Sequence, residues 1–129
     1  MDMNRQVVSA ASAPAAIGPY SHAIRAAGFV YTSGQLGIDP ASGNLVTGGV
    51  EAEARQALVN LGAVLNAAGS DYSRVIKTLV FLKDINDFAL VNSIYAGFFP
   101  KDPPARSAVQ VAALPKGALV EIEAVAITE

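Results

Sequence analysis

Apolar residues recur along this chain with two periods, and the switches between them divide it into elements. Residues 6–9 read as a short first strand ahead of an Ala-rich connection over 10–16. Two further short runs, 22–25 and 29–32, are separated by Ala26, Ala27 and Gly28, a spacing that predicts a hairpin. Ser33-Gly34-Gln35 then leaves the strand, and Asp39-Pro40-Ala41-Ser42-Gly43 carries turn residues. After Gly48-Gly49 the period lengthens: Ala54, Ala57, Leu58, Leu61, Leu65 and Ala68 fall at helical spacing, ending near Gly69. The two glycines fit a helix start better than a phosphate loop, because no GxxxxGK[ST] pattern accompanies them.

The branched-residue run at 75–82 predicts the next strand. Asp84 is placed to cap a second helix, with Asp87 in its first turn. Phe88, Val91 and Tyr95 form the apolar stripe of that helix, and Asn92 falls beside them as an amide that needs a partner. Prolines over 100–104 break the pattern before two last strands at 106–112 and 119–127. This order predicts an α+β fold, a six-stranded mixed sheet with two helices on one face.

Composition narrows the function classes. The 129 residues suit one domain. Hydrophobic residues make up 52% and charged ones 16%, an apolar excess that predicts an oligomer with apolar interfaces. Nine Lys+Arg against 11 Asp+Glu, scattered without a basic stripe, argue against a nucleic-acid partner. The absence of Cys removes thiolate chemistry, and the single histidine, His22, makes a metal centre or a Ser-His-Asp triad hard to build. With no signal-peptide pattern and no apolar run long enough for a membrane helix, the expectation is a soluble, cytoplasmic protein.

The last two strands hold the candidate chemistry. Period two places Arg106, Ala108 and Gln110 on one face and Ser107, Val109 and Val111 on the other. Glu121 and Glu123 share a face with Val125 and Ile127, two acids where the pattern expects apolar side chains. In one reading Arg106 grips a planar carboxylate through paired hydrogen bonds while a glutamate activates a water. In the other, Arg106 pairs with one of these glutamates and closes a subunit interface. A simple hairpin between the strands would leave Arg106 about four residues, roughly 13 Å, from Glu121. Either the strands are not neighbours, or the pair meets across subunits.

Four blocks in order, GPYSHAI (18–24), TSGQLGIDPASGNLV (32–46), PPARSAVQVAALP (103–115) and VEIEAVAI (120–127), closely resemble the Rid (YjgF) family, specifically its RidA group of reactive-intermediate deaminases. The resemblance runs from about residue 7 to 127 and implies one domain over 1–129 with a chorismate-mutase-like α+β fold. It further implies a homotrimer with a cleft at each subunit interface. Such proteins hydrolyse 2-imino acids or their enamine tautomers, among them 2-iminobutanoate and 2-iminopropanoate, to 2-oxo acids and ammonia without a cofactor. Pyridoxal-phosphate dehydratases acting on threonine or serine release these imines.

Carried residue by residue, the resemblance puts the carboxylate-binding arginine on Arg106 and the water-orienting glutamate on Glu121, with Glu123 as the alternative acid. Tyr20, Ser33, Gly34 and Asn92 match positions lining the same cleft. Ala108 departs from the Cys that many relatives carry there, which excludes a thiol mechanism and leaves its backbone N–H to bind a ligand oxygen. His22 falls where relatives often carry Gln and reads as a strand residue rather than a base. Plainer roles stand beside these: Tyr20 as a core ring, Ser33 as a turn residue, Asn92 as a structural amide. Two other functions remain: a small-carboxylate sensor or protein-binding module without turnover, and a ribonuclease or translation inhibitor, against which the acidic balance and the single histidine argue.

Overall fold

The helical period over 54–68 builds the element against which the sheet packs. In the computed structural model, which describes residues 4–128, helix α1 spans Gly49–Ala67 and buries Ala54, Ala57, Leu58, Leu61, Val64 and Leu65 completely. Gly48 and Gly49, with φ of 119° and 78°, lead into it, and Gly69, with φ of 82°, follows it; these are left-handed shapes that a Cβ would oppose.

Beneath α1 lies a sheet of β1 (Gln6–Val8), β2 (Ala23–Ala26), β3 (Phe29–Thr32), β4 (Gln35–Leu36), β5 (Val75–Leu82), β6 (Ala105–Gln110) and β7 (Val120–Ile127). The order is β1-β2-β3-β7-β5-β6, with β4 also paired to β7. Only β5 and β6 run parallel among these pairs, joined by helix α2 (Phe88–Phe98), which crosses over the sheet and packs on α1. The expected α+β architecture with a mixed sheet and two helices is therefore present.

Three details differ from the sequence reading. The sheet has seven strands, because Gln35 and Leu36 do not leave it but pair with Ile122 and Glu121 of β7. Two residues are too few for alternation to show, so the partner strand alone reveals β4. His22 stands just before β2 and not within a strand. Asp84 caps a 3-10 turn, Ile85–Asp87, by accepting the Asn86 N–H at 2.9 Å, and that turn then feeds α2.

Alternation sorts the two faces. β7 turns Val120, Ile122, Ala124 and Ala126 into the core under the helices, and Glu121, Glu123, Val125 and Ile127 to the opposite side. That helix-free side also exposes Val7, Phe29, Tyr31 and Val109, so much of the apolar excess sits on one sheet face. Leu61 lies at the centre of the buried face with no exposed surface. Leu61→Ala should lower unfolding free energy by about 2–5 kcal/mol through lost burial and the cavity left behind, read from the midpoint of a urea titration.

Candidate active site

Where β3 ends, β4 and β7 run side by side and open a cleft of about 370 Å³. Tyr20, Ser33, Gly34 and Glu121 line it, with Pro14, Ile17, Leu36 and Ile38 as an apolar wall and Lys116 at the rim. Tyr20 is no core ring: it is 47% exposed, and its hydroxyl accepts a long 3.4 Å bond from the Ile17 N–H. Ser33 is held at both ends, its N–H donating to the His22 carbonyl at 2.9 Å and its hydroxyl to the Ser21 carbonyl at 2.6 Å. Gly34 sits against the Glu121 carboxylate so closely that a Cβ there would collide with it. The missing side chain is what lets the acid lie along the cleft wall.

Burial pushes the Glu121 carboxyl above the usual carboxylate range, and the neighbouring Glu123 charge adds to the rise. Glu123 shares that sheet face but does not line the cleft, so of the two acids only Glu121 has access to a bound molecule there. Buried polar groups hold the surrounding wall. Asn60 of α1 donates to the Leu36 and Ile38 carbonyls at 3.0 and 2.8 Å, and Glu53 accepts the Leu119 N–H at 2.9 Å, just ahead of β7. His22 accepts the Ala10 N–H on Nδ1 at 2.9 Å, which leaves Nε2–H to donate to the Pro14 carbonyl at 2.8 Å. Both nitrogens serve the backbone, which makes His22 a tether for the 10–14 segment and not a base.

Arg106 occupies a different place. It points under α2, where its Nη1 donates to Asn92 Oδ1 at 2.7 Å and its guanidinium carbon lies 5.3 Å from the Phe88 ring centre and 4.9 Å from that of Tyr95. Phe88, Asn92 and Tyr95 fall one helical turn apart and present a single stripe to the arginine. Asn92 thereby finds the partner its position required. Among the described residues the one ion pair is Arg55–Glu51, so Arg106 has no carboxylate partner among them. Ala108, two residues on, is half-buried on the same face and packs against the core.

The register separates the two halves. Arg106 pairs with Thr78 of β5, which pairs with Ala124 of β7, whereas Glu121 is three residues from Ala124 and therefore on the other face. The last two strands are not a hairpin, since β5 lies between them. Two strand spacings and three residues put the two Cα atoms roughly 14 Å apart, with side chains directed oppositely. Tyr20, Ser33, Gly34 and Glu121 thus form one group, and Arg106, Asn92 and Ala108 another. Sequence reasoning read Phe88 and Tyr95 as core only; the polar Asn92 inside their stripe was the signal that this face meets a charged group.

Residues 10–128 match the family model described as Endoribonuclease L-PSP. A 2-iminobutanoate/2-iminopropanoate deaminase of Homo sapiens is 59% identical over 123 residues, covering 95% of this chain and 90% of that protein. The chain belongs to the Rid (endoribonuclease L-PSP) family. Among solved Rid structures, RidA from the Antarctic bacterium Psychrobacter sp. PAMC 21119 is 44% identical, with a TM-score of 0.91 over 95% of this chain and 98% of that one. Escherichia coli TdcF, solved with bound serine, is 40% identical with a TM-score of 0.91 over 96% and 99%.

The Glu121 shift has a defined sign. With its pKa raised on folding, the native chain holds a proton that the unfolded chain has already released, so stability falls as pH rises through that interval. Glu121→Gln should remove this pH-dependent loss, read by urea unfolding across the acid range. In a carboxyl-resolved NMR titration, Glu121 should titrate above exposed glutamates, and Glu123→Gln should bring its midpoint down. An unmoved midpoint in Glu123→Gln would eliminate the neighbouring charge as a cause.

Proposed function

We propose that this protein is a hydrolytic deaminase of 2-imino acids and their enamine tautomers, yielding 2-oxo acids and ammonia. Relatives named 2-iminobutanoate/2-iminopropanoate deaminase support the reaction class, at 58–59% identity over nearly the whole chain. The observation in the molecule that carries the reading is Arg106, a half-buried guanidinium with no acidic partner among the described residues. Its amide and aromatic neighbours hold it as a seat for a small carboxylate.

The substrate is a small 2-imino acid such as 2-iminobutanoate or 2-iminopropanoate. Arg106 binds its carboxylate, with Asn92 steadying the guanidinium and the backbone N–H of Ala108 available to an oxygen. A water held by Glu121 loses one proton to that carboxylate as its oxygen bonds to the carbon of the protonated imine and the C=N electrons move to nitrogen, giving a carbinolamine. The protonated Glu121 returns that proton to the amino nitrogen, and as the C–N bond breaks and the C=O forms the hydroxyl proton passes to the freed Glu121 carboxylate, releasing ammonia and the 2-oxo acid. A raised pKa suits a group that must accept and return a proton in one cycle. Tyr20 and Ser33 orient substrate and water, and Gly34 leaves room for the Glu121 carboxylate beside them. The chemistry requires neither metal nor cofactor, and positioning supplies most of its rate gain.

Because Arg106 and Glu121 face opposite ways within one chain, the complete site needs two subunits. We propose a cytoplasmic homotrimer of one 129-residue domain per subunit, chorismate-mutase-like in fold. In it the cleft of one copy meets the arginine of the next, and the exposed apolar sheet faces are covered. A ribonuclease reading is disfavoured by the absence of a basic stripe and by His22, whose two nitrogens are engaged with the backbone.

Two experiments test these points. Imine generated by a threonine dehydratase and trapped with semicarbazide should be trapped less when the protein is present. Arg106→Ala should weaken capture about 10- to 150-fold, and Glu121→Ala should slow turnover about 100- to 10,000-fold. Unchanged trapping with the wild-type protein would sink the activity. For the assembly, Arg106→Ala and Glu121→Ala subunits should each be inactive alone, yet recover about a quarter of the sites when co-refolded in equal amounts, as a cyclic arrangement predicts. No recovery on mixing would place both residues in one subunit's site and overturn the shared cleft.

A further inference from the structure

Tyr95 and Thr78 are buried polar residues that the proposed reaction does not use. Tyr95 is 5% exposed and Thr78 has no exposed surface, yet their hydroxyls share a hydrogen bond of 2.7 Å in the middle of an apolar core. Phe and Val would fill the same space, and removing both partners of such a bond together is close to neutral for stability. Packing therefore gives no strong reason for the pair, whereas its location does.

Thr78 stands directly opposite Arg106 in the parallel β5–β6 register, so both side chains rise from neighbouring strands toward α2. Tyr95 spans the two. Its hydroxyl rests on Thr78, while its ring face lies 4.9 Å from the Arg106 guanidinium carbon. It also packs on Phe99, with ring centres 4.6 Å apart. The hydroxyl bond fixes how far the ring reaches over the sheet and how its plane is tilted, and the guanidinium lies on that plane. Burial also pushes the Tyr95 hydroxyl above the usual tyrosine range, further from any pH at which it would lose the proton it can donate.

We propose that Tyr95 and Thr78 are positioning residues for carboxylate binding, a buried brace that holds the plane of Arg106 by locking the aromatic ring against which it lies. The inference rests on the reading of Arg106 as a carboxylate seat. Its consequence is that ligand affinity and fold stability separate. Each single variant strips one partner from a buried bond and costs both. The double variant removes the unsatisfied group and regains stability, but the ring remains unlocked.

The test uses 2-oxobutanoate, the stable product of the proposed reaction, as the calorimetric probe, alongside thermal unfolding and the imine-trapping rate. Tyr95→Phe and Thr78→Val should each weaken 2-oxobutanoate binding roughly 3- to 10-fold, the scale of one neutral hydrogen bond. Turnover at saturating imine should change by less than about twofold, because the brace acts on binding. The double variant should recover melting temperature relative to the singles while keeping the weakened affinity, and Thr78→Ser, which retains the hydroxyl, should bind as the wild type does. Affinity that follows melting temperature, returning to the wild-type value in the double variant, would reduce the pair to a packing role and overturn the brace. So would wild-type affinity in both single variants when Arg106→Ala has lost binding. Wild-type affinity in Arg106→Ala itself would instead remove the carboxylate seat, and the brace with it.

Discussion

The pleat of the central sheet governs everything else in this molecule. Side chains alternate faces at each residue, so a three-residue offset in register between Arg106 and Glu121 becomes a separation across the full thickness of the sheet. The arginine is sent under α2 and the glutamate to the face that no helix covers. No rotamer change can bring them together, because the backbone hydrogen bonds of β5, β6 and β7 hold the register. A site that used both would have to draw them from two copies, which couples the proposed chemistry to the proposed assembly.

The same alternation accounts for the unusual composition. A sheet with helices on one side normally buries that face and solvates the other. Here the second face keeps Val7, Phe29, Tyr31, Val109 and Ile127 exposed in the isolated chain, with Glu121 and Glu123 of β7 as the acids among its described strand residues. The residues that make this sheet face leave it apolar and open, and Glu121 of the proposed site lies on the same face.

Each half of the candidate site is held from behind by buried polar bonds. Asn60 ties the Leu36–Ile38 wall to α1, and Glu53 anchors the backbone entering β7. Under α2, Asn92 and the Phe88 and Tyr95 rings restrain Arg106, with Thr78 behind Tyr95. These groups sit within apolar elements where a polar residue costs desolvation unless partnered, and every one has its partner. Rigid presentation of a few groups is what a reaction driven by positioning asks of its protein.

Local pattern was enough for the helices, six of the seven strands to within a residue or two at their ends, and the two-faced character of β6 and β7, because period and turn chemistry act over a few residues. The motif blocks were enough for the family. Tertiary contact decided the rest. β4 exists only because β7 offers it partners, and His22 became a backbone tether once residues 10 and 14 folded back onto it. Phe88 and Tyr95 read as core until the parallel crossover laid their helix over Arg106. The sequence by itself determined which faces Arg106 and Glu121 take on their own strands; only the insertion of β5 between those strands decided that the two faces are opposite, since strand order depends on contacts between residues distant in the chain.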